Sequence, residues 1–289
     1  MRAKSFLFIL ACFLFSGTVY AEEAAFVEFT SYHRDTDVGR VGLDSEVWKN
    51  VPAMRHPLQR QFLVLPKPSE VGVKEVFVQS VHDGKYIAFR LTWKDSTEND
   101  TLKITNFSDA AALEFPVRKD PLPKYFMGEM QKPVHILYWK AWRSRDQEKG
   151  FQSVKTAYPN MTSDLYTFDY KVQGRGTEKT QEEKEIFIPG RAAKNPLSFP
   201  HKEIIEELSS EGPGTLTTKN IENTRGAAQW KDGEWTVLFV RPLTVDDAWS
   251  VQFKTGEKMP MAIAVWEGGH LEVGSRKAVS PAWAEIRLE

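Results

Sequence analysis

From residue 75 onward the apolar positions recur with a period of two, the spacing of strands that lay one face on a core. "KEVFVQSVHDGKYIAFRLTWKD" holds two such runs, Val76, Val78 and Ser80, then Ile87, Phe89, Leu91 and Trp93. Between them stands Asp83-Gly84, a dipeptide that favours the tip of a two-residue hairpin. "DAAALEFPV" (Asp109 to Val117) reads as a third strand and "PVHILYWKAW" as a fourth. In the fourth, Val134, Ile136, Tyr138, Lys140 and Trp142 share one side, and His135, Leu137, Trp139 and Ala141 the other. The alternation lapses from about Arg143 to Pro213, so residues 143–211 read as a long polar surface insertion. Within it, Ile204, Ile205 and Leu208 of "HKEIIEELSS" fit the stripe of one short helix. Strands resume in "GEWTVLFVRPL", "AWSVQFK", "MAIAVWEG" and "AWAEIRLE". Ahead of the first hairpin, Glu22 to Pro68 reads as an extended, irregular lead-in. Many short strands with Gly/Pro turns and little helix predict an all-β fold, an antiparallel sandwich or partly closed barrel.

The N-terminus belongs to none of this. Arg2 and Lys4 precede the apolar run "FLFILACFLF", which is followed by Val19 and Ala21 at the −3 and −1 positions of a cleavage site. That is the plan of a secretory signal, and the run is too short for a membrane span of about 20 residues. Residues 1–21 are therefore expected to be removed after Ala21, leaving 22–289 as a single exported domain. "ILAC" loosely matches a lipobox at Cys12, but cleavage there would strand "FLF" in the mature chain. Cys12 is the only cysteine of the 289 residues. Its loss with the signal leaves no disulfide and no thiolate for zinc, an iron–sulfur cluster or covalently attached haem. With a formal net charge of −1, the chain is neither a nucleic-acid binder nor a polybasic membrane binder by bulk charge.

Motifs for chemistry are scarce. There is no phosphate loop, nucleophile elbow or zinc helix. "DSTENDTLK" resembles a calcium loop but lacks the glycine at its sixth position. The six histidines, among them His82, His135 and His270, show no metal-ligand spacing. Two features stand out. Nine tryptophans are many, and six of them, Trp93, Trp139, Trp235, Trp249, Trp266 and Trp283, fall on expected strands. They suit an aromatic core, and also a flat ligand, a sugar ring or a porphyrin, lying against it. "PKYFMGEMQK" sets Met127 and Met130 on a Pro/Gly-shaped loop just ahead of the most aromatic strand. Met commonly fills gaps in cores, but a loop also aims a thioether more freely than a strand does.

"DGKYIAFRLTWKDST", "DAAALEFPV", "FMGEMQKPVHILYWKA", "GPGTLTT…AAQWKDGEWTVLFVRPL" and "MAIAVWEGG…GSRKAVSPAW" occur in this order. Together they resemble the haem-b-binding gamma subunit of periplasmic type II DMSO-reductase-family complexes, over roughly Leu43 to Leu288 apart from Arg143 to Glu211, which looks longer than in smaller members. That family includes ethylbenzene and dimethyl sulfide dehydrogenases, selenate and chlorate reductases and nitrite oxidoreductase. The resemblance implies a β-sandwich akin to family-9 carbohydrate-binding modules, holding one non-covalent haem b through a Met and a Lys. The Met of the family's "MG" element falls on Met127; the Lys of its "RK-S" element falls on Lys277, followed here by Ser280. It further implies an electron-transfer role without substrate chemistry, between an iron–sulfur beta subunit serving a molybdopterin alpha subunit and a soluble c-type cytochrome. The location implied is the periplasm.

The residues are compatible with that role. Without cysteine, iron is left to His, Met, Lys, Tyr or a carboxylate, and a neutral sulfur donor favours the ferrous state. Ligation by Lys277 needs the neutral amine, which costs about 4.6 kcal/mol at pH 7 for a lysine with the ordinary value near 10.4. Burial and the metal itself offset this, with Trp283 and the "MAIAVW" strand as the expected dry wall. Met130 and Lys258 are the alternative ligands. A carbohydrate-binding module without haem, or a structural subunit that has lost its cofactor, are the competing readings.

Overall fold

Residues 76–93 form the expected hairpin, and its tip shows how the chain enforces it. In this computed structural model, which describes residues 27–152, 154–160, 189–195, 198–219 and 223–289, the Asp83 side chain accepts the amides of Lys85 (2.8 Å), Tyr86 (2.7 Å) and Val38 (2.9 Å). Gly84 takes the left-handed conformation, φ 82°, that closes the turn. The segment 1–21 with Cys12 and Ala21, and "GRGTEKTQEEKEIF" of the insertion, lie outside the described residues.

The described residues form fourteen strands: β1 (Glu28–His33), β2 (Met54–Pro57), β3 (Gln59–Arg60), β4 (Glu75–His82), β5 (Tyr86–Lys94), β6 (Ala110–Pro116), β7 (Val134–Lys140), β8 (Ile205–Ser210), β9 (Thr217–Thr218), β10 (Arg225–Lys231), β11 (Glu234–Pro242), β12 (Lys258–Trp266), β13 (Ala278–Val279) and β14 (Ala284–Leu288). They order as β10-β11-β5-β4-β1-β14-β12-β6-β7-β8-β9. Strand β12 joins two layers. Its first half, Lys258–Met261, pairs with β14, and its second, Ala262–Trp266, pairs with β6. The layers are sewn together by aromatic contacts, Phe89 with Phe115 (5.6 Å between centroids), Trp93 with Trp139 (5.9 Å) and Trp139 with Trp235 (4.8 Å). The sandwich expected from alternation is present, and most of its pairings are antiparallel.

Four details depart from the sequence reading. The lead-in contains β1, which pairs in parallel with both β14 and β4 and so lies inside the sheet. "HKEIIEELSS" forms strand β8, paired with β7 and β9, where a helix was expected. "AWSVQFK" is not a strand, although Val251 and Phe253 are buried, and its Trp249 is 48% exposed. The fourth strand ends at Lys140; Ala141 and Trp142 open helix α1 (Ala141–Lys149), whose amide at Ala141 bonds the Asp109 carbonyl at 2.8 Å.

The second layer, β12-β6-β7-β8, is covered on both faces, which is why β6 is buried at all seven positions and shows no polar side. Its inner face carries Ala111, Leu113, Phe115, Leu137 and Trp139 into the main core. Its outer face carries Ala110, Ala112, Ile136, Leu208 and Trp266 as a separate cluster. The candidate site lies on that outer face.

Candidate functional site

Cross-strand register sets the floor of the site. Ala262 stands opposite Glu114, and Ala264 opposite Ala112; on the other side of β6, Ile136 faces Glu114 and Tyr138 faces Ala112. Leu208 of β8 continues the row beside Ile136. Three alanines in the middle of this floor leave a shallow apolar space, bordered by Trp266, whose ring lies 5.0 Å from Tyr138. Loops wall it in, and the result is a cavity of about 380 Å³. One wall is Gln61 to Val64, shaped by the Gln61 side chain, whose oxygen accepts the amides of Leu63 (2.6 Å) and Val64 (2.8 Å). The others come from Tyr125–Met127, Pro213–Leu216 and Gly274–Ser280.

Met127 and Lys277, 150 positions apart, both line this cavity. Met127 takes a left-handed backbone, φ 71°, and Gly128 follows at φ 77°. Only glycine fits at 128, because a Cβ there would stand 2.9 Å from the Lys132 carbonyl oxygen and 3.0 Å from that of Ser210. The Met127 peptide is held from both sides. Its N–H donates to the Glu114 carboxylate at 3.1 and 3.2 Å, and its carbonyl accepts the Gly212 N–H at 2.8 Å. Met130, by contrast, is 80% exposed and outside the cavity.

Lys277 precedes β13, and its carbonyl accepts the Gln61 amide at 3.1 Å, which ties its wall to the loop across from it. Its ammonium nitrogen lies 4.8 Å from the centre of the Trp266 ring. Among the described residues it has no ion-pair partner at salt-bridge distance. Burial lowers its pKa, an effect opposed by the charge of Glu114. Burial likewise pushes Glu114 up to about 8, against the pull of Lys277 and the Met127 amide. Lys258 is a different case: it is exposed on β12, with its ammonium between Glu285 (3.0 Å) and Glu28 (3.3 Å), which raise its pKa and keep it charged.

The expected dry wall is half as drawn. Ala262, Ile263, Ala264 and Trp266 do line the cavity, but Trp283 does not. Its indole N–H donates to the Pro123 carbonyl at 2.8 Å, so it anchors the start of the Met127 loop. Sequence reasoning also missed contributors. Leu208, Pro213, Gly214 and Leu216 come from the end of the supposed insertion and the turn after it, and Gln61 to Val64 from the lead-in. No local signal marks them, since they join the site only through sheet pairing and loop packing.

Most polar side chains of the wall are spent on their neighbours. Ser280 bonds the Ile263 amide and His56, both at 2.7 Å, and Ser275 donates to the Pro66 carbonyl at 2.9 Å. What remains is a largely apolar, flat-floored space that offers one thioether, one amine of disfavoured charge, the Glu114 carboxyl group and the side chains of Tyr125 and Tyr138. Among the described residues no group of three or more His, Cys, Asp or Glu is arranged to hold a metal ion.

Comparison with known proteins adds an independent line. The family model described as "Ethylbenzene dehydrogenase" matches residues 45–278. A "putative respiratory nitrate reductase heme subunit" of Haloferax mediterranei is 26% identical over 82% of this chain, which spans only 64% of that protein's length. The chlorate reductase subunit gamma of Ideonella dechloratans is 23% identical over 84% of the chain and 77% of its own length. The dimethylsulfide dehydrogenase subunit gamma of Rhodovulum sulfidophilum is 22% identical over 85% and 74%. Among solved structures, a family-9 carbohydrate-binding module of Caldicellulosiruptor kristjanssonii matches 91% of this chain and 95% of its own at 9% identity, with a TM-score of 0.38.

Proposed function

The chain belongs to the ethylbenzene dehydrogenase family, and from that premise we propose that it is an electron-transfer subunit of a molybdenum oxidoreductase complex, binding one non-covalent haem b. The observation that carries the reading is the meeting of Met127 and Lys277 in one apolar cavity. Bound there, the haem would supply one-electron transfer. Met127 and Lys277 would be the residues that hold its iron, a pairing of two protein ligands that suits electron transfer rather than substrate chemistry.

The chain's own residues prepare for this. Ala112, Ala262 and Ala264 leave the apolar space that a flat ring would need, and Trp266 and Tyr138 would help to keep water out of it. The burial that lowers the Lys277 pKa reduces the cost of presenting a neutral amine. A thioether donor biases the site toward the reduced state. Electrons would pass between the iron–sulfur subunit of the complex and a soluble c-type cytochrome, in the periplasm, after export by the N-terminal signal.

A sugar in the same cavity would need several hydrogen-bonding groups for its hydroxyls; Gln61, Ser275 and Ser280 are engaged with neighbouring residues, which leaves Glu114, Lys277, Tyr125 and Tyr138 to supply them. Purified from cells supplied with haem, the protein should show a Soret band and sharp α and β bands on reduction. Acidified acetone should extract the pigment, since nothing holds it covalently. A colourless protein that takes up no haem on reconstitution would reject the reading, and saturable binding of glucose or cellotriose would replace it with the carbohydrate-module alternative.

A further inference from the structure

The apolar floor carries one carboxylate. Glu114 sits on β6 between Ala262 and Ile136 in the cross-strand rows, 9% exposed. A carboxylate there is costly unless its hydrogen bonds repay the loss of water. Among the described residues its hydrogen bonds all come from one group: both oxygens accept the Met127 N–H, at 3.1 and 3.2 Å. Two residues in succession, Met127 and Gly128, have positive φ, and for the first, which has a side chain, this conformation is intrinsically unfavourable. The backbone therefore needs external restraint at Met127. It has two restraints, the Glu114 carboxylate on the amide side and the Gly212 N–H on the carbonyl side.

We infer that Glu114 is a positioning residue for the cavity: by clamping the Met127 amide to the sheet it fixes the direction of the thioether, and so whether that sulfur can serve as a ligand. The inference rests on the haem reading above for its functional meaning, and on hydrogen-bond geometry alone for its structural content. Glu114 is thus the link by which a rigid strand controls a loop donor.

The test compares Glu114→Gln, which keeps a side-chain oxygen for the Met127 N–H, with Glu114→Leu and Glu114→Ala, which do not. In haem-loaded protein, the Leu variant should show a high-spin population beside the low-spin one, and haem should transfer to a scavenger apoprotein roughly fivefold faster, the loss expected from one buried hydrogen bond. The Gln variant should stay close to wild type in both. An unchanged spectrum and transfer rate in the Leu variant would overturn the inference, as would equal damage in Gln and Leu.

A second readout needs no haem and covers the case in which Leu fails to fold. Amide hydrogen exchange at Met127 should be slow in wild type and in Glu114→Gln, and fast in Glu114→Ala. A Met127 amide that exchanges freely in wild type would overturn the clamp. If wild type shows the slow amide but takes up no haem, the haem reading fails and the clamp stands.

Discussion

Met127 and Met130 lie three residues apart on one loop and meet opposite surroundings. The left-handed turn at Met127 and Gly128 sends the first side chain into the cavity, and Met130 is left in solvent. Met127→Ala should therefore abolish the six-coordinate low-spin spectrum while Met130→Ala leaves it intact; reversed results in visible and near-infrared spectra would move the role to Met130. The two lysines contrast in the same way. Lys277→Ala should shift the reduction potential and axial signature, and Lys258→Ala, whose ammonium is held by Glu285 and Glu28, should alter neither. A third residue sets a pH dependence. Burial lowers the pKa of His56 from 6.5 to about 4, so the unfolded chain binds the extra proton between these values. Its contribution is intact above pH 6.5 and lost as the pH falls toward 4, by up to about 3 kcal/mol. Urea unfolding at pH 7, 5 and 4 should show wild type losing up to that much more stability than His56→Gln.

At the scale of the element, β8 is the instructive case. As a helix, Ile204, Ile205 and Leu208 would share one face. As a strand, Ile205 joins the main core and Leu208 the outer cluster on the opposite face. The two residues should then fail differently. Ile205→Ala should cost about 2–5 kcal/mol of stability and leave the spectrum of the folded fraction unchanged, whereas Leu208→Ala should also weaken haem retention. Equal spectral effects would argue against the two-faced strand. The charged appearance of "EIIEELSS" has a tertiary explanation. Glu206 is paired with Lys140 (3.0 Å) and Arg143 (3.2 Å), and Glu207 lies 3.1 Å from the His135 ring, which burial keeps neutral at pH 7. Buried acids with partners on neighbouring elements cannot be told from solvated ones by hydropathy. The hairpin β4–β5 lies at the other extreme: alternation and Asp83-Gly84 specify it locally, and it forms where they place it.

At the scale of the whole molecule, the first described strand is central. β1 separates β14 from β4 and pairs with both, so its removal would leave two unpaired edges in the middle of the sheet. Deletion of residues 27–34 should abolish cooperative thermal unfolding, whereas a dispensable lead-in would leave the transition in place. Among the described residues no helix is long and apolar enough to cross a membrane.

The sequence by itself determined the quantities that are local. Period-two runs and turn dipeptides specify strands, and their number and brevity specify a sandwich, because each amphipathic strand must bury one face. The family resemblance carried by five short motifs implied Met127 and Lys277 as candidates, with Gly128 marking the tight turn beside the first. Only the tertiary structure decided what these residues meet. It placed 127 and 277 in one cavity, paired β8 with β7, and turned Glu114 from an anonymous strand acid into the partner of the Met127 amide. Those outcomes depend on cross-strand register and on contacts between different segments, from 13 positions apart (Glu114 with Met127) to 150 (Met127 with Lys277), and neither leaves a trace in the periodicity of a single segment.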